Sequence, residues 1–159
     1  MTTETIDDNK VIVSKADVTD AMLRFESMLA KEPDAKFGDD CAPLLHFFGD
    51  CLYIREILMT KGMIYTSKIH KTTHPYFVMK GSASVITDTG IVHIEAPYFG
   101  MTQAGTKRVL YIHEDCVWFT VHATEETDLV AIEDQIIAKD YAELQEHLDK
   151  EKLLWHGQQ

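Results

Sequence analysis

A chain of 159 residues with 45% hydrophobic and 26% charged side chains can bury one core, is short for two, and is too apolar to be disordered. Its formal charge of −11 argues against nucleic acid as a partner, because phosphate binding needs a basic surface or stripe. No apolar run approaches the roughly 20 residues that span a bilayer, and the acidic start lacks the basic and apolar regions of a signal peptide, so no membrane partner and a cytoplasmic location are expected.

Residues 1 to about 15 read as an arm whose only apolar patch is Val11-Ile12-Val13. Asp17 is placed to cap a helix in which Val18, Ala21, Met22, Phe25, Met28 and Leu29 share one face, and Pro33 stops it. That stripe must pack on the rest of the chain or on a second subunit. Residues 34–50 read as loop, with turn signals at Gly38-Asp39-Asp40 and Gly49-Asp50. From Cys51 to about Ala131 the pattern is short strands with close turns: Leu52 to Leu58, Tyr76 to Met79, Ser84 to Thr87, Ile91 to Glu95 after an Asp88-Thr89-Gly90 hairpin, Val109 to Ile112 and Val117 to Val121. Residues 123–133 read as a solvated acidic loop, and a last helix carries Ile137, Tyr141, Leu144 and Leu148 on one face. The expectation is one mainly β domain: an N-terminal arm, helix and loop (1–50), a barrel (51–131) and a C-terminal helix (132–159). Cys41, Cys51 and Cys116 are odd in number and form no Cys-x-x-Cys, which predicts reduced, mostly buried thiols.

The chemistry concentrates between Gly62 and His122. His70 and His74 cannot act as a helical pair, because Pro75 disfavours a helical conformation at His74 and the segment lacks helical periodicity. On extended chain even spacing keeps side chains on one face, so Lys68, His70 and His74 are expected to point inward together. A metal needs a third ligand, and His122 is the candidate, on a strand where Trp118, Thr120 and His122 alternate with Val117, Phe119 and Val121. Imidazole ligands suit Zn, Fe, Ni or Cu. The other reading is a set of histidines satisfied by hydrogen bonds in a polar barrel mouth. Lys68 and Arg108 lie close to these histidines in the pattern, so either they hold a small anion in the cavity or Arg108 pairs with an acid such as Asp115 or Glu95, or reaches solvent. The candidate catalytic residues are His70, His74, His122, Lys80 and Arg108; the candidate ligand-binding residues are Lys68, Lys80, Arg108 and Trp118; the candidate metal ligands are His70, His74 and His122. No nucleophile motif, phosphate loop or dinucleotide fingerprint is present.

The order and spacing of these residues resemble the two sequence motifs of the cupin family. Gly62 opens the first motif and Gly81 closes it; His70 matches its second histidine, Lys68 stands in place of the first, and His74 stands where the family has a glutamate. In the second motif Gln103-Ala104-Gly105-Thr106-Lys107 leads to Arg108 at the histidine's place. The resemblance implies a cupin-like double-stranded β-helix, a jelly-roll barrel, with an N-terminal and a C-terminal helix. The run from Tyr53 to Glu133 is also similar to small uncharacterised single-domain cupins of tailed phages and prophages, through Tyr53-Ile54-Arg55-Glu56, the Lys68 to His74 segment, Lys80-Gly81, Glu95-Ala96-Pro97, Gly105 to Arg108, Asp115, Trp118, His122 and Thr124 to Asp128. Two functions follow as expectations. One is a barrel that binds a small anionic molecule, a transition metal or both, and acts as a metal-dependent enzyme. The other is a non-catalytic phage accessory or virion protein that works by assembly with phage or host proteins. A homodimer is expected on either, since cupin barrels commonly pair through sheet edges.

Overall fold

The computed structural model describes residues 14–37, 40–87 and 89–156, so the Val11-Ile12-Val13 patch and the turn positions Gly38, Asp39 and Asp88 lie outside the described residues. Helix α1 spans Lys15–Leu29. Its cap is Ser14, not Asp17: the Ser14 hydroxyl accepts from the Asp17 amide, and the Asp17 carboxylate accepts in return from the Ser14 amide, both at 3.2 Å. Asp17 therefore completes a capping box from the third helical position. Of the expected apolar stripe only Met22 is buried, and Met28 is exposed. Glu26 ties the helix to the barrel instead, accepting from Lys107 Nζ at 2.8 Å and from the Thr66 hydroxyl at 2.7 Å.

The barrel is built from β1 (Leu44–Gly49), β2 (Leu52–Met59), β3 (Ile64–Thr66), β4 (Ile69–His70), β5 (His74–Thr87), β6 (Gly90–Glu95), β7 (Tyr98–Thr102) and β8 (Val109–Ala123). β5 and β8 are the frame. They run antiparallel to each other over almost their whole length, with irregular register between Val78 and Ala83. Before that break β5 pairs with β7 and β8 pairs with β2, which carries β1 outside it. Beyond it β5 pairs with β6 and β8 with β3. The sheet thus folds into two layers that share two bent strands, a jelly roll. At the bend Gly81 has φ +84°, and a Cβ there would lie 2.3 Å from the Asp115 carbonyl oxygen. The four short strands expected around Lys80-Gly81 and His113-Glu114-Asp115 are therefore two long ones, bulged rather than broken.

Burial alternates along the inner faces, and Tyr76, Val78 and Trp118 of one layer meet Ala83, Val85 and Ile112 of the other in the main core. Three other expectations are corrected. Residues 44–49, read as loop, form edge strand β1. The supposed solvated loop ends in helix α2 (Leu129–Ile136), capped by the Asp128 carboxylate on the Ala131 amide and anchored by Ile132 and Ile136 against Tyr53. Ile137 does not begin the last helix; with Ala138 it forms β9, which pairs with β4 before α3 (Tyr141–His156) starts. Cys116 is buried, but Cys51 is exposed in the β1–β2 turn; all three cysteines are free thiols. Among the described residues no helix is long and apolar enough to cross a membrane.

Candidate metal centre

His70, His74 and His122 converge inside the barrel, each offering a nitrogen within 4.8 Å of the others. They come from three strands: His70 ends β4, His74 opens β5, and His122 lies near the end of β8. The convergence of the first two does not come from even spacing on one extended chain. The Lys71–Thr73 connection, bent at Lys71 and Thr72, separates β4 from β5, and β9 pairs with β4 at Ile69 and His70. The ring centroids of His70 and His122 are 4.3 Å from that of His74 and 5.6 Å from each other.

Each ring has an identifiable donor atom. His74 Nδ1 lies 3.1 Å from the Thr72 carbonyl, which accepts its proton and leaves Nε2 as the lone-pair nitrogen. His122 Nε2 lies 3.1 Å from the Thr120 hydroxyl, while its Nδ1 is buried with no partner. His70 Nδ1 is likewise buried and unpartnered. Buried nitrogens without a hydrogen bond are costly, and a shared metal ion would satisfy both. An ion with ~2.0–2.1 Å bonds to nitrogen holds tetrahedral ligands roughly 3.3 Å apart, so closing this set requires imidazole shifts of about an ångström.

Electrostatics keep the imidazoles neutral, the form that binds metal. Burial pushes His70 down to about 2, helped by His74, His122, Arg55 and Arg108. Burial likewise pushes His122 down to about 3, with His74 and Arg55 adding to it. His74 is lowered by burial against the opposing bond to Thr72. As general acids near neutrality they are therefore poor; as ligands they are ready.

Beside His70 and His74 lies a cavity of about 60 Å3, space for about four to six waters. Ile57, Met59, Leu110 and Trp118 form its apolar wall, and Arg55, Lys68 and Arg108 bring their cationic side chains to it. No aspartate or glutamate lines it among the described residues. Arg108 lies over the Tyr76 ring, 4.8 Å from its centroid, and donates to the Thr102 hydroxyl at 3.0 Å. Asp115, suggested as its partner, accepts from the Lys61 amide at 2.9 Å. Lys80 is exposed on β5 and lines neither the cavity nor the histidine cluster, because the bulge at Gly81 turns it outward.

Two residues outside the expected site organise it. Arg55 is buried on the inner face of β2, donating to the Tyr53 hydroxyl at 3.1 Å and to Glu133 at 3.1 Å. Glu133, on α2, also accepts from Lys68. Burial raises the Glu133 carboxyl, but its bonds to Lys68 and Arg55 outweigh that and hold it below the usual carboxylate range. The Tyr53 hydroxyl, in turn, sits 2.7 Å from His46 Nδ1, and its ring stacks 6.0 Å from His122. A chain of contacts thus runs from the edge strand past the histidine cluster to α2.

No family model and no curated protein matches the sequence. Solved structures match the fold. Salicylate 1,2-dioxygenase from Pseudoaminobacter salicylatoxidans, in a structure with gentisate adducts, is 12% identical over 77% of this chain and 36% of its own, with a TM-score of 0.50. A cupin superfamily protein from Desulfitobacterium hafniense DCB-2 is 10% identical over 57% of this chain and 84% of its own, with a TM-score of 0.46. A polyketide cyclase from Streptomyces resistomycificus is 15% identical over 50% and 59%, with a TM-score of 0.43. The fold is therefore cupin-like: a mainly β jelly roll with helices on its flanks. At such identities the likeness extends to the fold alone, and the chain spans about a third of the dioxygenase.

Proposed function

We propose that this barrel binds a divalent transition metal on His70, His74 and His122 and a small anionic molecule in the adjoining cavity, and that it works as a metal-dependent enzyme. The observation that carries the reading is the pair of buried, unpartnered Nδ1 atoms of His70 and His122 beside a neutral His74. An all-imidazole set suits Zn, Fe, Ni or Cu. The bound ion would supply Lewis-acid or redox chemistry. The protein's own residues do the rest. Arg108, with Arg55 and Lys68, neutralises the ligand's charge and orients it, while Trp118, Leu110, Ile57 and Met59 exclude water from around it. The test is titration of the metal-free protein with Co2+ followed by visible absorption. A saturable nitrogen-ligated spectrum at one equivalent, lost in His122→Ala, supports the reading; an unchanged spectrum in that variant refutes it.

A second reading has its own support. Phe77, Met79, Phe99 and Met101 are exposed together on the outer face of β5 and β7, with Phe77 and Phe99 stacked at 6.0 Å. Exposed apolar patches mark interaction surfaces. On this reading the chain is an accessory or virion protein of a phage, homodimeric or bound to phage or host partners, in the host cytoplasm or the particle. Co-purification with virions separates the two: protein retained in particles supports the second reading, and protein that binds metal and is absent from particles disfavours it.

A further inference from the structure

The layer of β1, β2, β8, β5 and β7 has its polarity reversed. On β8 the inward side chains are Trp118, Thr120 and His122, and on β2 they include Tyr53 and Arg55, so the polar groups of the site face the interior. The outward positions are mostly apolar. Leu45, Glu56, Phe119, Phe77 and Phe99 stand abreast across the five strands, and Phe47, Ile54 and Val121 form the row beside them. An antiparallel sheet with one face in water alternates apolar inside with polar outside, whereas a sheet covered on both faces is apolar along its strands. The other layer keeps the first pattern, with His93, Ser84 and Tyr111 abreast on its outside. The five-stranded layer has the composition of a covered sheet. The helices do not cover it: α1 is tied to Thr66 and Lys107, α2 packs at Tyr53 on the inner side, and Leu144 of α3 packs on Ile69 and Ala138.

We propose that the outer face of this layer is the interface of a homodimer, in which two copies pack sheet against sheet about a two-fold axis rather than through sheet edges or helix stripes. The pairing is independent of whether the histidines hold a metal and holds on either reading of function. Charge selects a second copy as the occupant. The chain carries −11, so two copies repel through most of their surfaces. On this face the charged side chains among the described strand residues are Glu56 and, at the bend, Lys80, one of each sign. A basic partner would be drawn to the acidic surfaces; a second acidic copy needs a face without net charge. The area is sufficient. Five strands about 4.8 Å apart, each laying roughly 22 Å of chain on the face, give a footprint of roughly 500 Å2. Two such footprints bury on the order of 1,000 Å2 before side-chain relief is counted, the size a specific interface needs. Phe77 and Phe99, stacked at 6.0 Å, supply aromatic anchors of the kind such interfaces use.

The experiment is methyl NMR of the unaltered, methionine-labelled full chain with a soluble paramagnetic probe, beside sedimentation velocity from about 1 to about 100 µM. Met79, Met101 and Met28 are 60%, 48% and 63% exposed in the single chain, so a monomer would show all three methyls broadened. The dimer should shield Met79 and Met101 while Met28, on α1, stays fully broadened, and it should sediment at twice the chain mass. Phe47→Glu on β1 and Phe99→Glu on β7 alter exposed side chains at opposite margins of the face. Each should weaken the dimer by about a hundredfold or more, since the two-fold axis repeats every buried charge. Ile91→Glu, at a side chain at least as exposed on the other layer, should leave the dimer unchanged. A monomer at about 100 µM, or Met79 and Met101 broadened as strongly as Met28, overturns the proposal and leaves the face to a different partner or to residues 1–13 of the chain. Dissociation in only one of Phe47→Glu and Phe99→Glu moves the contact to a sheet edge and overturns it as well, as does dissociation in Ile91→Glu.

Discussion

Replacing Glu133 by glutamine tests the contact that holds α2 to the cations of the site. The carboxylate accepts from Arg55 at 3.1 Å and from Lys68, so the change removes one partner from each of two cations at once. The Arg55 side chain is only 11% exposed, which makes its loss the larger, but Glu133 is 36% exposed and solvent screens its part. A fully buried pair broken on one side costs about 3–5 kcal/mol and an exposed pair about 0–1 kcal/mol. Between these limits, and discounted for screening, the cost should be about 1–2 kcal/mol at neutral pH. For a chain of this length that lowers the melting temperature by roughly 2–8 °C. The sign with pH follows from the lowered Glu133 pKa: its contribution is present above the usual carboxylate value and is lost as pH falls through the depressed one. Denaturant unfolding of both proteins from pH 7 downward is the assay. The gap between them should be full at pH 7 and close in the acid range. A variant as stable as the parent at pH 7, or a gap that persists unchanged into acid, would refute the reasoning.

The metal-free protein should lose stability as pH drops below about 6.5, because unfolded histidines bind protons there while His70 and His122 stay neutral down to about 2 and 3. The slope should reach on the order of 1 kcal/mol per pH unit per histidine, and replacing both by alanine should flatten it in denaturant melts. Gly81→Ala should destabilise by roughly 2–4 kcal/mol or prevent folding, from strain at positive φ together with the 2.3 Å contact to the Asp115 carbonyl; thermal melts check it. Lys80→Ala should leave Co2+ affinity within twofold of the parent in the same spectroscopic titration, since the side chain is exposed and outside the cavity.

The strand-rich middle and the three histidines were legible because their signals are local in sequence: alternation at Trp118, Thr120 and His122, and imidazoles near glycine turns. How His70 meets His74 was not, because it depends on β9, a two-residue strand whose Ile137 lies 67 positions beyond its partner His70 and which no propensity marks. Arg55 left a readable sign, a cation in phase with Tyr53, Ile57 and Met59 on one face of a strand. Helix α2 also left one, Asp128 as cap with Ile132 and Ile136 four apart, but eight residues behind an acidic run are too short a window for helical periodicity to stand out. Lys80 misled because it is one of the few cations that could face a common cavity, whereas the bulged register of β5 between Val78 and Ala83 leaves it exposed on the outside.

The most direct measurement is elemental analysis by mass spectrometry of the tag-free protein after exposure to Zn2+ and exhaustive dialysis, beside a His70→Ala, His74→Ala double variant that circular dichroism shows to be folded. The account expects close to one metal ion per chain in the parent and none in the variant. Equal metal in both, or none in the parent, would contradict it.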